Sequence, residues 1–195
     1  MTHISTIGAG LYSDLSVCRE TYPGSTPTDA SGWAALFATE LTNGVAVTGA
    51  TGEFTRILNV RSFPEMGTPP NIVNVPVYGS KTSRQVQGQA DAPSFEIELN
   101  FVPLDWQGAP NYLGSMVGDG NMYGFRFALL NADSLGVTAA TKYATTALGL
   151  GTVANSLYYW GGKIEALQIN PQLTDSNTAK LTISIQTAFY GAFTV

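Results

Sequence analysis

Side chains that could serve as nucleophile, base or metal ligand are scarce in this chain. It has one histidine, His3, and one cysteine, Cys18. A Ser-His-Asp or Cys-His system would have to draw on His3, which stands at a terminus and reads better as an exposed terminal side chain. One His and one Cys also fall short of the ligand set of a zinc site, and a lone cysteine closes no internal disulfide. Gly8-Ala9-Gly10 matches the start of a dinucleotide fingerprint, but Ser13 stands where the third glycine is needed and no βαβ unit follows. Gly149-Leu150-Gly151 lacks the Lys-Ser/Thr pair of a phosphate loop. That leaves Glu96 and Glu98. On a strand they share a face about 7 Å apart, a pairing a glycosidase could use. No third catalytic-looking group lies near them in sequence, so a solvated strand face is the better reading. The sequence predicts no enzyme, no metal and no cofactor.

Composition agrees with a structural role. Of 195 residues, 44% are apolar and only 12% charged. The charged share is about half of the usual one. A disordered chain needs more charge, and a coiled coil needs Glu, Lys and Leu in heptads. A fold of this size keeps roughly 9,000 Å² of surface, enough for a real core without cross-links. With 21 Gly and 10 Pro beside abundant Thr, Val and Ile, the composition leans to strands and turns. The net charge of −5 and pI of about 4.7 oppose a grip on phosphates, which needs a basic surface. No basic segment precedes an apolar stretch at the start, and no apolar run approaches the roughly 18 residues of a membrane span. These features predict a chain made and folded in the cytoplasm.

The elements read as strands, turns and one good helix. Residues 1–24 resemble an arm with a short strand and few core candidates. Residues 31–42 predict a helix, capped by Asp29 or Ser31, with Trp33, Leu36, Phe37 and Leu41 on one face and Asn43-Gly44 as its stop. Strand-like segments follow at about 45–49, 54–61, 71–78, 83–89 and 94–102. The proline-rich stretch Arg61–Pro70 excludes a central strand there. A short helix is expected within 106–117, with Pro110 in its first turn, and a turn at Gly118-Asp119-Gly120-Asn121. Tyr123, Phe125, Phe127 and Leu129 alternate with Gly124, Arg126 and Ala128 as a strand. Residues 136–156, rich in Ala, Thr and Gly, read as a surface excursion. Two long strands close the chain at about 157–169 and 178–190. Ile164 and Ala166 share one phase and Leu167 and Ile169 the other, which predicts a β-bulge near Ala166.

One hairpin is the most informative segment. With Ala90-Asp91-Ala92-Pro93 as a four-residue loop, Gln89 faces Ser94, Gln87 faces Glu96 and Gln85 faces Glu98. Gly88, Val86 and Arg84 then face Phe95, Ile97 and Leu99. One side is wholly polar, without Lys or Arg, and the other is largely apolar. A slip of one residue would destroy that sorting.

Several segments together resemble a known family: Phe54-Thr55-Arg56-Ile57, Phe63-Pro64-Glu65-Met66-Gly67, Pro70-Asn71-Ile72-Val73-Asn74-Val75, Tyr78-Gly79-Ser80, Gly88-Gln89-Ala90-Asp91-Ala92-Pro93 and the strand Phe95–Phe101. Their order and spacing resemble the major tail tube proteins of long-tailed, non-contractile bacteriophages, over residues 54–104. The resemblance implies a single mainly β domain, a β-sandwich or partial barrel with one flanking α-helix. It implies hexameric rings that stack helically into a hollow tube, each subunit giving four strands to a shared inner barrel. Such a barrel has a backbone diameter of roughly 48 Å, from strands about 4.8 Å apart and tilted about 40°. That leaves a channel wide enough for a DNA duplex. The resemblance further implies a structural virion protein of the tail, made in the host bacterial cytoplasm, that conducts DNA during ejection. Its partners would be copies of itself, the tape measure protein and double-stranded DNA in the lumen, and the tail tip and terminator proteins, with no membrane. On that reading Gln85, Gln87, Gln89, Glu96 and Glu98 line the lumen. Phe63, Pro64, Glu65 and Met66, in a loop over 61–76, contact the next ring. A neutral or acidic lining suits a conduit that must not bind what it conducts.

The alternative is a carbohydrate-binding β-sandwich module of a phage or surface protein. Trp33, Trp106, Trp160, Tyr158 and Tyr159 could stack on sugars, although Trp33 lies on the apolar stripe of the expected helix.

Overall fold

The computed structural model describes residues 13–21, 27–41, 52–65, 72–76, 78, 79, 81, 84–87, 94–106, 113–130 and 155–191. The fold is mainly β. The strands are β1 (Asp14–Thr21), β2 (Thr39–Glu40), β3 (Glu53–Arg56), β4 (Val60–Ser62), β5 (Ile72–Val75), β6 (Arg84–Gln87), β7 (Ser94–Asn100), β8 (Tyr123–Leu130), β9 (Asn155–Asn170), β10 (Thr178–Ile185) and β11 (Tyr190–Gly191). The helices are α1 (Ala30–Ala35), α2 (Pro103–Trp106) and α3 (Leu113–Met116). One sheet runs β2-β3-β1-β8-β9-β10-β7-β4, with β11 added to β9, while β5 and β6 pair separately.

The large sheet curls over on itself as a partial barrel. Leu15, Val17, Phe125 and Phe127 from one half share a single core with Phe95, Ile97, Leu99, Leu181 and Ile183 from the other. Phe63, just past β4, meets Phe127 of β8 edge-on at 5.0 Å between ring centroids. Trp160 lies at the centre, stacked on Phe125 and edge-on to Phe95, both at 5.7 Å. Trp106, Leu113 and Met116 of α2 and α3 close the same core.

A second, smaller core lies on the outer surface. There α1 covers β1, β3, β8 and the first half of β9, packing Trp33, Leu36 and Phe37 against Cys18, Phe54, Leu157 and Tyr159. The helix starts as its sequence predicts, with Asp29 Oδ1 accepting from the Gly32 N–H at 2.7 Å. It stops at Leu36, well short of residue 42. The Gly52 carbonyl accepts from both Ala38 N and Thr39 N, and Thr39–Glu40 joins β3 as a parallel strand. The sheet edge thus captures N–H groups that a longer helix would have used. The expected stop, Asn43-Gly44, lies outside the described residues, as does the expected strand at 45–49.

Several expectations about segments change, and one falls almost wholly outside the described residues. The short strand inside the 1–24 arm is β1, and it lies between β3 and β8 with Leu15, Val17 and Cys18 buried, so 14–21 belongs to the body of the fold. The loop expected over 61–76 begins inside β4 and contains the whole of β5. The excursion expected over 136–156 lies outside the described residues except its end, where Asn155 opens β9. Residues 106–117 hold the last residue of α2 and the whole of α3, and Pro110 lies outside the described residues.

The bulge is where its sequence places it. In the β9–β10 ladder Thr182 pairs with Ala166 and Ile183 with Ile164, so Glu165 is the extra residue. It restores the phase, keeping Ile164 and Leu167 on the core side. The Ile164 carbonyl accepts from Gly118 N at 2.8 Å, where Gly118 takes a φ of +70° in the predicted turn. Asp119 closes that turn. It accepts from Asn121 N and Nδ2 and from the Tyr123 hydroxyl. Burial and the Asp119 carboxylate hold that phenol well above its ordinary pKa.

Candidate functional site

Beyond α1 the outer surface of the sheet is open. It is formed by alternate residues of the second half of β9, of β10 and of β7, with β4 at the edge. On β7 the pattern is strict: Ser94, Glu96 and Glu98 are exposed while Phe95, Ile97 and Leu99 are buried. On β10, Lys180, Thr182 and Ser184 alternate with Leu181, Ile183 and Ile185. The register sets Thr178 beside Asn170, Lys180 beside Gln168 and Ser184 beside Lys163. The result is a polar face four strands wide.

The expected hairpin does not form this face. β7 pairs along its whole length with β10, and with β4 at Leu99 and Glu98. β6 pairs instead with β5, with Val73 opposite Val86 and Asn74 opposite Gln85, through the Tyr78-Gly79 turn. Polar and apolar residues sort equally well against any antiparallel partner of matching period, and β10 has that period. Glu96 and Glu98 are therefore on the open face, but Gln85 and Gln87 belong to the separate β5–β6 ladder. Gln89 lies outside the described residues.

Nor is the face free of cations. Lys180 Nζ lies 2.9 Å from Glu96 Oε2, and that carboxylate raises the pKa of the ammonium. Ser184 Oγ donates to Glu165 Oε1 at 2.6 Å. At the end of the face a shallow cleft of about 560 Å³ is lined by Arg61, Glu98, Gln168, Asn170, Asp175 and Lys180, among others. Glu96, Glu98, Glu165 and Asp175 thus stand against Arg61, Lys163 and Lys180, so the face is close to neutral. The alternation in β10 was visible in the sequence; that it lies beside β7 was not. Among the described residues no three His, Cys, Asp or Glu side chains come together as a metal site.

The residues expected to touch a neighbouring ring divide. Phe63 is half-buried against Phe127 and serves the core. Pro64 is half-buried and Glu65 exposed, and Met66 lies outside the described residues. The aromatics weighed for sugar stacking are committed to packing. Trp33, Trp106, Trp160 and Tyr159 are buried, and Tyr158 is half-buried beside Phe127.

The sequence pattern missed a buried charged cluster under α1. Arg126, read as the polar side of β8, is fully buried, with its guanidinium 4.5 Å from the centroid of Phe54 and 4.9 Å from that of Phe37. Ser16 and Arg126 are register partners, and Ser16 is also opposite Arg56, which pairs with Glu40 at 2.6 Å. No helix among the described residues is long and apolar enough to cross a membrane. No family model and no curated protein matches the chain.

Proposed function

We propose that this chain is the repeating subunit of a hollow tube, the major tail tube protein of a long-tailed, non-contractile phage. As a structural virion protein it stacks in hexameric rings and conducts DNA into the host. One observation carries the reading: a helix covers the outer surface of one half of a continuous curled sheet, and the other half presents a four-strand polar face. A tube subunit needs such a division, with one surface closed by its own helix and one lining a water-filled channel. The near balance of charge also fits. A face on which Lys180 is held by Glu96 offers a duplex few uncompensated cations, so few counterions are released and the polyanion is not gripped. The edge supports assembly as well. Among the described residues β4 meets β7 only at Leu99 and Glu98, leaving Ser94–Ile97 without a strand partner on that side. Exposed edges of this kind invite strand pairing between copies.

On this reading the partners are copies of the chain, the tape measure protein and double-stranded DNA in the lumen, and the tail tip and terminator proteins. The protein is made in the host cytoplasm and resides in the virion tail. Negative-stain microscopy of the purified, concentrated protein tests the assembly. Rings of six subunits, or tubes with an axial channel, are expected. A monomer at every concentration, or a ring of another order, overturns the proposal.

A further inference from the structure

The start of β1 buries most of a carboxylate. Asp14, the first residue of the strand, is 7% exposed, and Ser16 beside it is fully buried. Ser16 Oγ donates to Asp14 Oδ2 at 3.0 Å and accepts from Arg126 Nη2 at 3.3 Å. Carboxylate and guanidinium are therefore joined through a hydroxyl. A neutral donor compensates an ionised carboxylate less than a charged one does.

The other groups around Asp14 do not supply a close cation. β3 contributes Arg56, which is engaged with Glu40 of β2. Tyr159 of β9 faces Arg126, and α1 carries no charged residue. Beside Asp14 runs a groove of about 450 Å³, lined by Ser13, Asp14, Arg56, Asn59 and Arg61, among others. It runs along the start of β1 and the β3–β4 connection, which meet at Leu15 and Ile57.

We propose that Asp14 is a proton-linked latch on the first strand: with the proton bound, the end of β1 stays closed against β3 and β8, and ionisation opens that end towards the groove. Burial pushes the Asp14 carboxyl up to about 6, with Arg126, Arg56 and the Ser16 hydrogen bond opposing it only in part. Above that pH the folded chain holds a desolvated carboxylate. The shortest route to water is a fraying of residues 13–15 into the groove, at the cost of the Ile57 N to Leu15 carbonyl hydrogen bond of 2.9 Å, the pairing of Asp14 and Leu15 with Ala128 and Phe127 of β8, and the burial of Leu15. The central part of β1 remains tied by Val17, which pairs with both Thr55 and Phe125.

Amide hydrogen exchange on the full chain, corrected for intrinsic rates, tests this latch. Protection at Leu15 and Ile57 should fall about tenfold from pH 5 to pH 8. Protection at Ile97 and Leu181, buried core amides that exchange only when the whole fold opens, should exceed that at Leu15 and Ile57 at both pH values. Asp14→Asn, which keeps the shape of the protonated side chain, should stay protected at both pH values. A wild-type profile without pH dependence, or the same dependence in Asp14→Asn, overturns the proposal. Should that variant fail to fold, the carbon-13 shift of the wild-type Asp14 carboxyl decides. A midpoint near pH 6 supports the latch, and one below pH 5 rules it out.

Discussion

Lys180 Nζ reaches Glu96 Oε2 at 2.9 Å diagonally across the β10–β7 ladder, although the register sets Lys180 directly opposite Glu98. A single lysine thus stands between the two carboxylates expected to form a cation-free face.

Because both partners are exposed, their contribution to stability is small. Glu96→Gln should leave the chemical-denaturation midpoint almost unmoved and should lower the Lys180 pKa towards its ordinary value, read from the NMR titration of its Nζ. The double change Glu96→Lys and Glu98→Lys should leave the fold intact but make the face strongly cationic. If that face lines a tube, particles carrying the variant should eject DNA slowly, and added salt should restore part of the rate. Ejection at the normal rate would remove this face from the channel.

Gly162 tolerates no side chain. It lies in mid-strand between Phe125 and β10, and a methyl group there would meet the Ser184 carbonyl oxygen at 2.6 Å. That atom belongs to the β9–β10 ladder and cannot rotate away. Gly162→Ala should therefore cost about 1–3 kcal/mol, the usual range for overpacking, measured as a loss of midpoint in urea. A change within about 0.5 kcal/mol would mean that β9 and β10 shift apart freely.

Asp14 gives global stability an unusual pH dependence. Its pKa in the fold, about 6, lies above the ordinary 3.8. The folded state therefore binds the proton more tightly than the unfolded state does. This contribution is complete below the unfolded value and is lost as pH rises through about 6. The whole span is worth about 3 kcal/mol, of which about 2 falls between pH 4 and pH 8. Asp14→Asn should be more stable than wild type at pH 8 and nearly equal to it at pH 4, by denaturation at both values. The opposite order would mean that a cation dominates the Asp14 site.

The sequence by itself determined what depends on local periodicity and turn chemistry. Alternation specified the strand class of β7, β8 and β10 and the buried and exposed phases of β7 and β10. The phase change between Ile164 and Leu167 located the bulge, because an extra residue must appear wherever an alternating pattern slips. The Trp33, Leu36 and Phe37 stripe identified the face that α1 buries. The tertiary structure alone decided which strand lies beside which. An alternating strand sorts its two faces against any antiparallel partner, so Glu96 and Glu98 fitted the Gln85 and Gln87 segment on paper and Lys180 in the fold. The same long-range closure shortened α1, drew β1 into the middle of the sheet and buried Arg126 on a strand whose alternation read as half-exposed. A period of two says that neighbouring residues point to opposite sides; whether both sides are covered depends on what the distant chain brings to them.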